Sequence, residues 1–201
     1  MLICEGYSPI VLSGPSGAGK TELIEYLKKK NKIFEEAPGI TTRPRRIGEV
    51  GNTDFITQEK FFEYVNNDEL ILYVRHDGNY YGTLKKALEL LKDKQILFNM
   101  GYQGAVSLKN IRPDSSLIYI LPPNKEEVLR RMGNRGIQRY SLGIEQTKKS
   151  IDLYDYLLIS YTDNMEKLYC DFMDIYESSE SGKTKSLKLI KNKDFMKNFY
   201  N

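Results

Sequence analysis

Eight consecutive residues, Gly14-Pro15-Ser16-Gly17-Ala18-Gly19-Lys20-Thr21, follow the apolar run Pro9-Ile10-Val11-Leu12 and precede a helical pattern. A glycine-rich turn that leaves a strand and opens a helix has the form of a phosphate-binding loop. Its successive backbone N–H groups point inward, and the helix N-terminus adds positive charge. In such a loop Gly14, Ser16, Gly17, Ala18 and Gly19 wrap the phosphates, Lys20 reaches the β/γ-phosphates and the Thr21 hydroxyl holds Mg²⁺. The alternative is an ordinary strand-to-helix turn, but the strand before and the helix after favour the loop. An α/β fold is therefore expected, with a nucleoside triphosphate and Mg²⁺ as the first ligands.

The rest of the chain alternates strand-like apolar runs with helical patterns, the order typical of a parallel sheet flanked by helices. Strands are expected at Ile10–Ser13, 70–74, Gln95–Asn99, 117–121 and Tyr156–Ile159. Helices are expected at Lys20–Lys30, Gln58–Asn66, 84–91, Lys125–Met132, 144–154 and 165–176. Thr57 and Asn124 stand where N-caps belong. The basic and then glycine-rich stretch 41–54 reads as a mobile loop or small subdomain. The polar composition from Glu177 onward reads as a linker with a short lysine-rich helix.

Composition excludes more than it identifies. The 30 basic and 27 acidic residues, a net charge of +3, are spread along the chain and do not suggest a nucleic-acid partner. No run of apolar residues has the length of a membrane span and no signal-peptide pattern opens the sequence, so a cytoplasmic location is expected. Cys4 and Cys170 lack metal or redox spacing and read as reduced thiols. The single histidine, His76, rules out a multi-histidine metal site and reads as an exposed hairpin residue.

A second signal lies in Thr41-Thr42-Arg43-Pro44-Arg45-Arg46-Ile47-Gly48-Glu49-Val50, followed by Gly78-Asn79-Tyr80-Tyr81-Gly82-Thr83. Clustered guanidinium groups bind phosphate bidentately and a tyrosine hydroxyl adds a neutral hydrogen bond, which suits a second, monophosphate site. Together with the first loop, Gln103-Gly104-Ala105, Leu121-Pro122-Pro123 and Asn134-Arg135-Gly136, these blocks resemble the guanylate kinase family, whose members transfer the γ-phosphoryl of ATP to GMP. The resemblance implies a P-loop kinase core with a parallel sheet, a small β-rich acceptor-binding insertion and a helical lid. The implied boundaries are a kinase-like domain over 1–177, with core 1–36 and 84–177, insertion 37–83 and lid 134–146, and a polar extension over 178–201.

The resemblance also implies roles. Arg43, Arg46 and Tyr81 match residues that grip the acceptor's phosphate. Lys20, Arg43, Arg135 and Arg139 are the candidate catalytic cations, Arg135 and Arg139 from the lid. Partners are ATP and a small monophosphate acceptor, and the protein is expected as a monomer or homodimer.

The departures fall on the acceptor's base. Leu72 stands where the family places a guanine-reading glutamate, and Gly39 replaces a serine. Asn99 and Gly101 replace paired acidic residues, Phe55 replaces a tyrosine, and Thr83 completes the base region. A guanine N–H buried against leucine goes unpaired at about 1 to 3 kcal/mol. The acceptor is therefore GMP by family, or another nucleotide or sugar phosphate by residue content. Gln146 falls where a second lid arginine is expected. Asn99 brings no charge to the Mg²⁺ shell, so either slower turnover or a relocated carboxylate, from Glu49 or Asp54, is expected. The alternative to an enzyme is a catalytically weak or inactive nucleotide- and phosphate-binding module.

Overall fold

The computed structural model describes residues 6–122, 124–132, 151–161 and 164–180. Among these, five strands form one all-parallel sheet in the order β2-β7-β1-β8-β9: β1 (Ile10–Ser13), β2 (Phe34–Glu36), β7 (Gln95–Asn99), β8 (Ser116–Leu121) and β9 (Tyr156–Ile159). Side chains alternate across it. Ile10 and Leu12 of β1, Leu97 of β7, and Ile118 and Ile120 of β8 meet one face. There they pack on α1 (Lys20–Lys30) and α6 (Met165–Glu180) through Leu23, Ile24, Leu27, Phe172 and Ile175. Val11, Ile96, Phe98, Leu117, Tyr119 and Leu121 meet the other face, with Ala87 of α3 (Lys86–Leu90) and Ala105 and Leu108 of α4 (Tyr102–Ile111). Burial on both faces is why these strands read as unbroken apolar runs, each large side chain contributing about 1.5–3 kcal/mol.

A second, four-stranded sheet has the order β4-β3-β6-β5, with β3 (Gly39–Thr41), β4 (Thr53–Phe55), β5 (Leu70–His76) and β6 (Asn79–Leu84). β3 runs parallel to β4 and antiparallel to β6. Helix α2 (Gln58–Asn66) covers it through Phe61, which joins Ile40, Leu70 and Leu84 in a small core. Gly82 sits where a Cβ would come within 3.0–3.2 Å of Leu70, Ile40 and Phe61, so the strand lies against this core without a side chain. The expected caps form: Lys60 N donates to Thr57 Oγ1 at 3.3 Å, and Glu127 N to Asn124 Oδ1 at 2.9 Å at the start of α5 (Lys125–Met132).

Several expectations need correction. Helix α4 was not foreseen, because its buried residues Gly104, Ala105 and Leu108 are small or few. Of the two readings of the stretch 41–54, a loop or part of a small subdomain, the second fits, since Thr41 ends β3 and Thr53 opens β4 of the small sheet. Leu84 closes β6, its N donating to Pro38 O at 3.1 Å, so the helix expected at 84–91 is the shorter Lys86–Leu90. Of the helix expected at 144–154, the described part is a 3₁₀ turn at Ile151–Leu153 followed by buried Tyr154. Helix α6 continues to Glu180, past the polar change at Glu177.

Candidate active site

The loop leaving β1 is shaped by glycines with left-handed backbone: Gly14 at φ 144°, Gly17 at 78° and Gly19 at 89°. At Gly14 a Cβ would stand 2.2 Å from Ile120 O, so no side chain fits. Ala18 is fully buried and pins the loop to the core, whereas Ser16 is exposed. Gly19 is the N-cap of α1 without a side-chain cap, so the first-turn N–H groups of that helix lack the usual capping oxygen. Lys20 Nζ donates to Gly14 O and Pro15 O, both at 2.9 Å, which folds the ammonium over the loop. Burial pulls its pKa down to about 8, and Glu22 nearby opposes that shift.

Next to the loop, Thr21 Oγ1 accepts a 3.3 Å hydrogen bond from Asn99 Nδ2 at the end of β7. Beyond Asn99, exposed Gly101 is the N-cap of α4 and also offers no side-chain cap. These positions lie at the carboxyl ends of the central strands, where the strand order reverses around β1 and open α/β sheets place their ligands.

On the other side of the loop lies a cavity of about 600 Å³ lined by Gly17, Gly19, Glu22, Arg131, Ser160 and Tyr161. Arg131 organises it. Its NH1 donates to Ser160 Oγ at 2.8 Å and Gly17 O at 3.2 Å, its NH2 to Tyr161 O at 3.3 Å and its Nε to Glu127 Oε1 at 2.5 Å. Arg130 and Arg131 together hold the Glu127 carboxyl down at about 2. Arg131 was missed in the sequence. The signal was the Glu127 to Arg131 spacing of four on a helix that ends at the loop.

The second cationic group is carried by the small sheet. Arg43 makes a two-pronged pair with Glu49, NH1 to Oε2 at 2.8 Å and NH2 to Oε1 closer still, and also donates to Pro44 O at 2.9 Å. Tyr81 meets the Arg43 side chain, so two of the three expected phosphate-binding residues are in contact. Arg46 is exposed, and its backbone N donates to Glu49 Oε2 at 3.1 Å. The guanidinium groups of Arg43 and Arg45 lie 5.0 and 4.9 Å from the Phe55 ring centroid, which makes Phe55 a support for the cluster. Hydrogen bonds from Arg43 hold the Glu49 carboxyl below its usual range. Glu49 is thus engaged with Arg43, and Asp54 is an exposed residue of β4.

Gly39, Thr83 and Leu72 form one row across β3, β6 and β5, with Thr83 paired to both neighbours. Leu72 packs against the core on the α3/α4 face of the large sheet. A Cβ at Gly39 would stand 3.2 Å from Gly82 O, which fits the smallest residue there.

Comparison with known proteins decides the family. The guanylate kinase family profile matches residues 6–179. The chain belongs to the guanylate kinase family. It is 36% identical over 162 residues to a guanylate kinase of Clostridioides difficile (strain 630), covering 75% of this chain and 78% of that protein. It is 30% identical over 190 residues to one from Synechococcus sp. (strain JA-3-3Ab), covering 88% and 85%. The crystal structure of guanylate kinase from Anaplasma phagocytophilum superposes with a TM-score of 0.69 at 25% identity, covering 98% of this chain and 99% of that one. Membership of the guanylate kinase family makes the protein a P-loop nucleotide kinase, an ATP-dependent phosphotransferase with a parallel sheet flanked by helices.

Within that family frame, Arg135, Arg139 and Gln146 lie outside the described residues, as do the expected lid and Cys4. No group of three or more His, Cys, Asp or Glu suited to a metal occurs among the described residues, and no described helix is long and apolar enough to cross a membrane. His76 is exposed on the β5–β6 hairpin, 3.6 Å from Asp77 Oδ2, as expected.

Proposed function

We propose that this kinase moves the γ-phosphoryl of ATP to a nucleoside monophosphate that it recognises mainly by its phosphate, with GMP accepted and the base weakly discriminated. The observation that carries the reading is the contrast between the two halves of the acceptor region. Tyr81 meets the Arg43 side chain and Glu49 joins Arg43 to the backbone of Arg46, a grouping that suits phosphate, whereas the base row offers one hydroxyl, Thr83, between Gly39 and Leu72. A site without a carboxylate for guanine's N–H groups loses most of its means of rejecting other bases.

In this reading the P-loop N–H groups and Lys20 hold the ATP phosphates, and Lys20 exchanges its two carbonyl partners for phosphate oxygens. The cavity beside Arg131 receives the adenosine. Thr21, Asn99 and phosphate oxygens would give Mg²⁺ the all-oxygen donor set, with few protein ligands, that suits it. When bound, it neutralises charge between the β- and γ-phosphates. The protein's own work is positioning: Arg43, Arg46 and Tyr81 hold the acceptor in line, and lid arginines Arg135 and Arg139 close over the transferred group. The region 37–83 then acts as the acceptor subdomain of a cytoplasmic enzyme.

ADP release from Mg-ATP should be measured against GMP, dGMP, AMP, CMP, UMP, dTMP and ribose phosphates. Turnover with GMP and at least one other base within about 100-fold in kcat/KM is expected. Discrimination above about 10⁴-fold in favour of GMP would refute weak base reading. ATP-dependent thermal protection without turnover of any acceptor would identify a binding module.

A further inference from the structure

The acid missing from the end of β7 has a counterpart one strand away. Glu36 closes β2, the edge strand hydrogen-bonded to β7, and is only 4% exposed. Its Oε2 accepts from Asn52 N at 2.7 Å, and its backbone O accepts from Asn52 Nδ2 at 3.0 Å. Gly51, at φ 121°, passes so close that a Cβ would lie 3.0 Å from Oε2. The Asn99 side chain also meets the Glu36 carboxylate, while Asn99 Nδ2 donates to Thr21 Oγ1. The Asn99 amide therefore lies between the Glu36 carboxylate and the Thr21 hydroxyl, and its oxygen is an acceptor suited to a cation or its waters.

We propose that Glu36 is a positioning residue for the metal shell, supplying through Asn99 the negative charge that Asn99 itself lacks and tying that shell to the acceptor subdomain through Asn52. The inference rests on the kinase reading above. A merely structural Glu36 would need only an acceptor for Asn52 N, which a neutral glutamine provides without burying a carboxylate. Burial does raise this carboxyl's pKa, and the Asn52 and Asn99 hydrogen bonds oppose the rise. A charged group placed behind the ligand residue is how outer-shell partners orient ligands and tune metal affinity.

The test is the ratio of ATP affinities with EDTA and with saturating Mg²⁺, measured calorimetrically on the full chain. Glu36→Gln keeps the volume and the acceptor for Asn52. It should leave metal-free ATP affinity within about twofold and lower the Mg²⁺-dependent gain by about 10-fold. Glu36→Gln combined with Asn99→Asp returns the charge to the end of β7 and should restore most of that gain. Asn99→Leu, at an exposed position that does not endanger folding, cuts the same link and should lower the gain as Glu36→Gln does. An unchanged gain in Glu36→Gln or in Asn99→Leu would overturn the inference while leaving the kinase reading intact. Failure of the wild type to bind ATP with or without metal would overturn both.

Discussion

Lys20 carries the sharpest residue-scale consequence. Its pKa is pulled to about 8 because its ammonium is buried against two carbonyl oxygens, whereas a bound phosphate favours the charged form. Binding ATP above about pH 8 therefore takes up a proton. Affinity is full below that pH and falls about tenfold per unit above it, until the pKa of the bound form is reached. The sign for stability without nucleotide is opposite: the unfolded chain holds the proton more firmly, so the fold gains stability as pH rises from about 8 toward the ordinary lysine value. Calorimetry at two pH values, in buffers of different ionisation heat, should detect the uptake, and Lys20→Arg should abolish it because guanidinium stays charged. Arg43→Lys is the companion experiment on the acceptor side. A lysine has no two-pronged face, so the acceptor KM should rise about 10-fold or more while ATP affinity holds. An equal loss in both would show that Arg43 acts on the fold rather than on the acceptor.

At the scale of elements, legibility in the sequence followed burial. Strands β1, β7 and β9 were read to the residue, because both of their faces are packed and no polar residue interrupts them. Strands β2, β3 and β4 are three residues each, too short for any alternation to register. The P-loop could be read because its chemistry is local in sequence. Glu36 could not, and the spacing of Glu127 and Arg131 shows only that they pair, because the meaning of both sites depends on which strand end and which loop lie beside them. The small sheet is held by few large side chains, so it is sensitive to crowding. Gly82→Ala should lower stability by about 1–3 kcal/mol, since Leu70, Ile40 and Phe61 would all have to shift. Thermal denaturation would measure this, and a melting temperature within a degree of wild type would mean that the β6 backbone yields instead.

Across the whole molecule, the P-loop and the Arg43 cluster, the proposed ATP and acceptor sites, stand on separate sheets that share no strand. The chain crosses between them at Ala37-Pro38 and again near Lys85, and the hydrogen bond from Leu84 N to Pro38 O sets the two crossings side by side. Two adjacent crossings make a hinge, so the acceptor sheet should swing toward the P-loop when both substrates are bound. Small-angle scattering should show contraction with ATP analogue plus acceptor and little with either alone, and hydrolysis of ATP without acceptor should be slow. An equal contraction with ATP analogue alone would place the movement elsewhere.

The close approach of Gly14 to Ile120 O reaches beyond ligand binding. In a survey of variants scored by how much protein accumulates in cells, Gly14 should behave as a core position, intolerant of every replacement whether or not nucleotide is present. Ser16, exposed in the same eight-residue motif, should accept many. The first glycine of the motif is, in that sense, part of the protein's architecture before it is part of its chemistry.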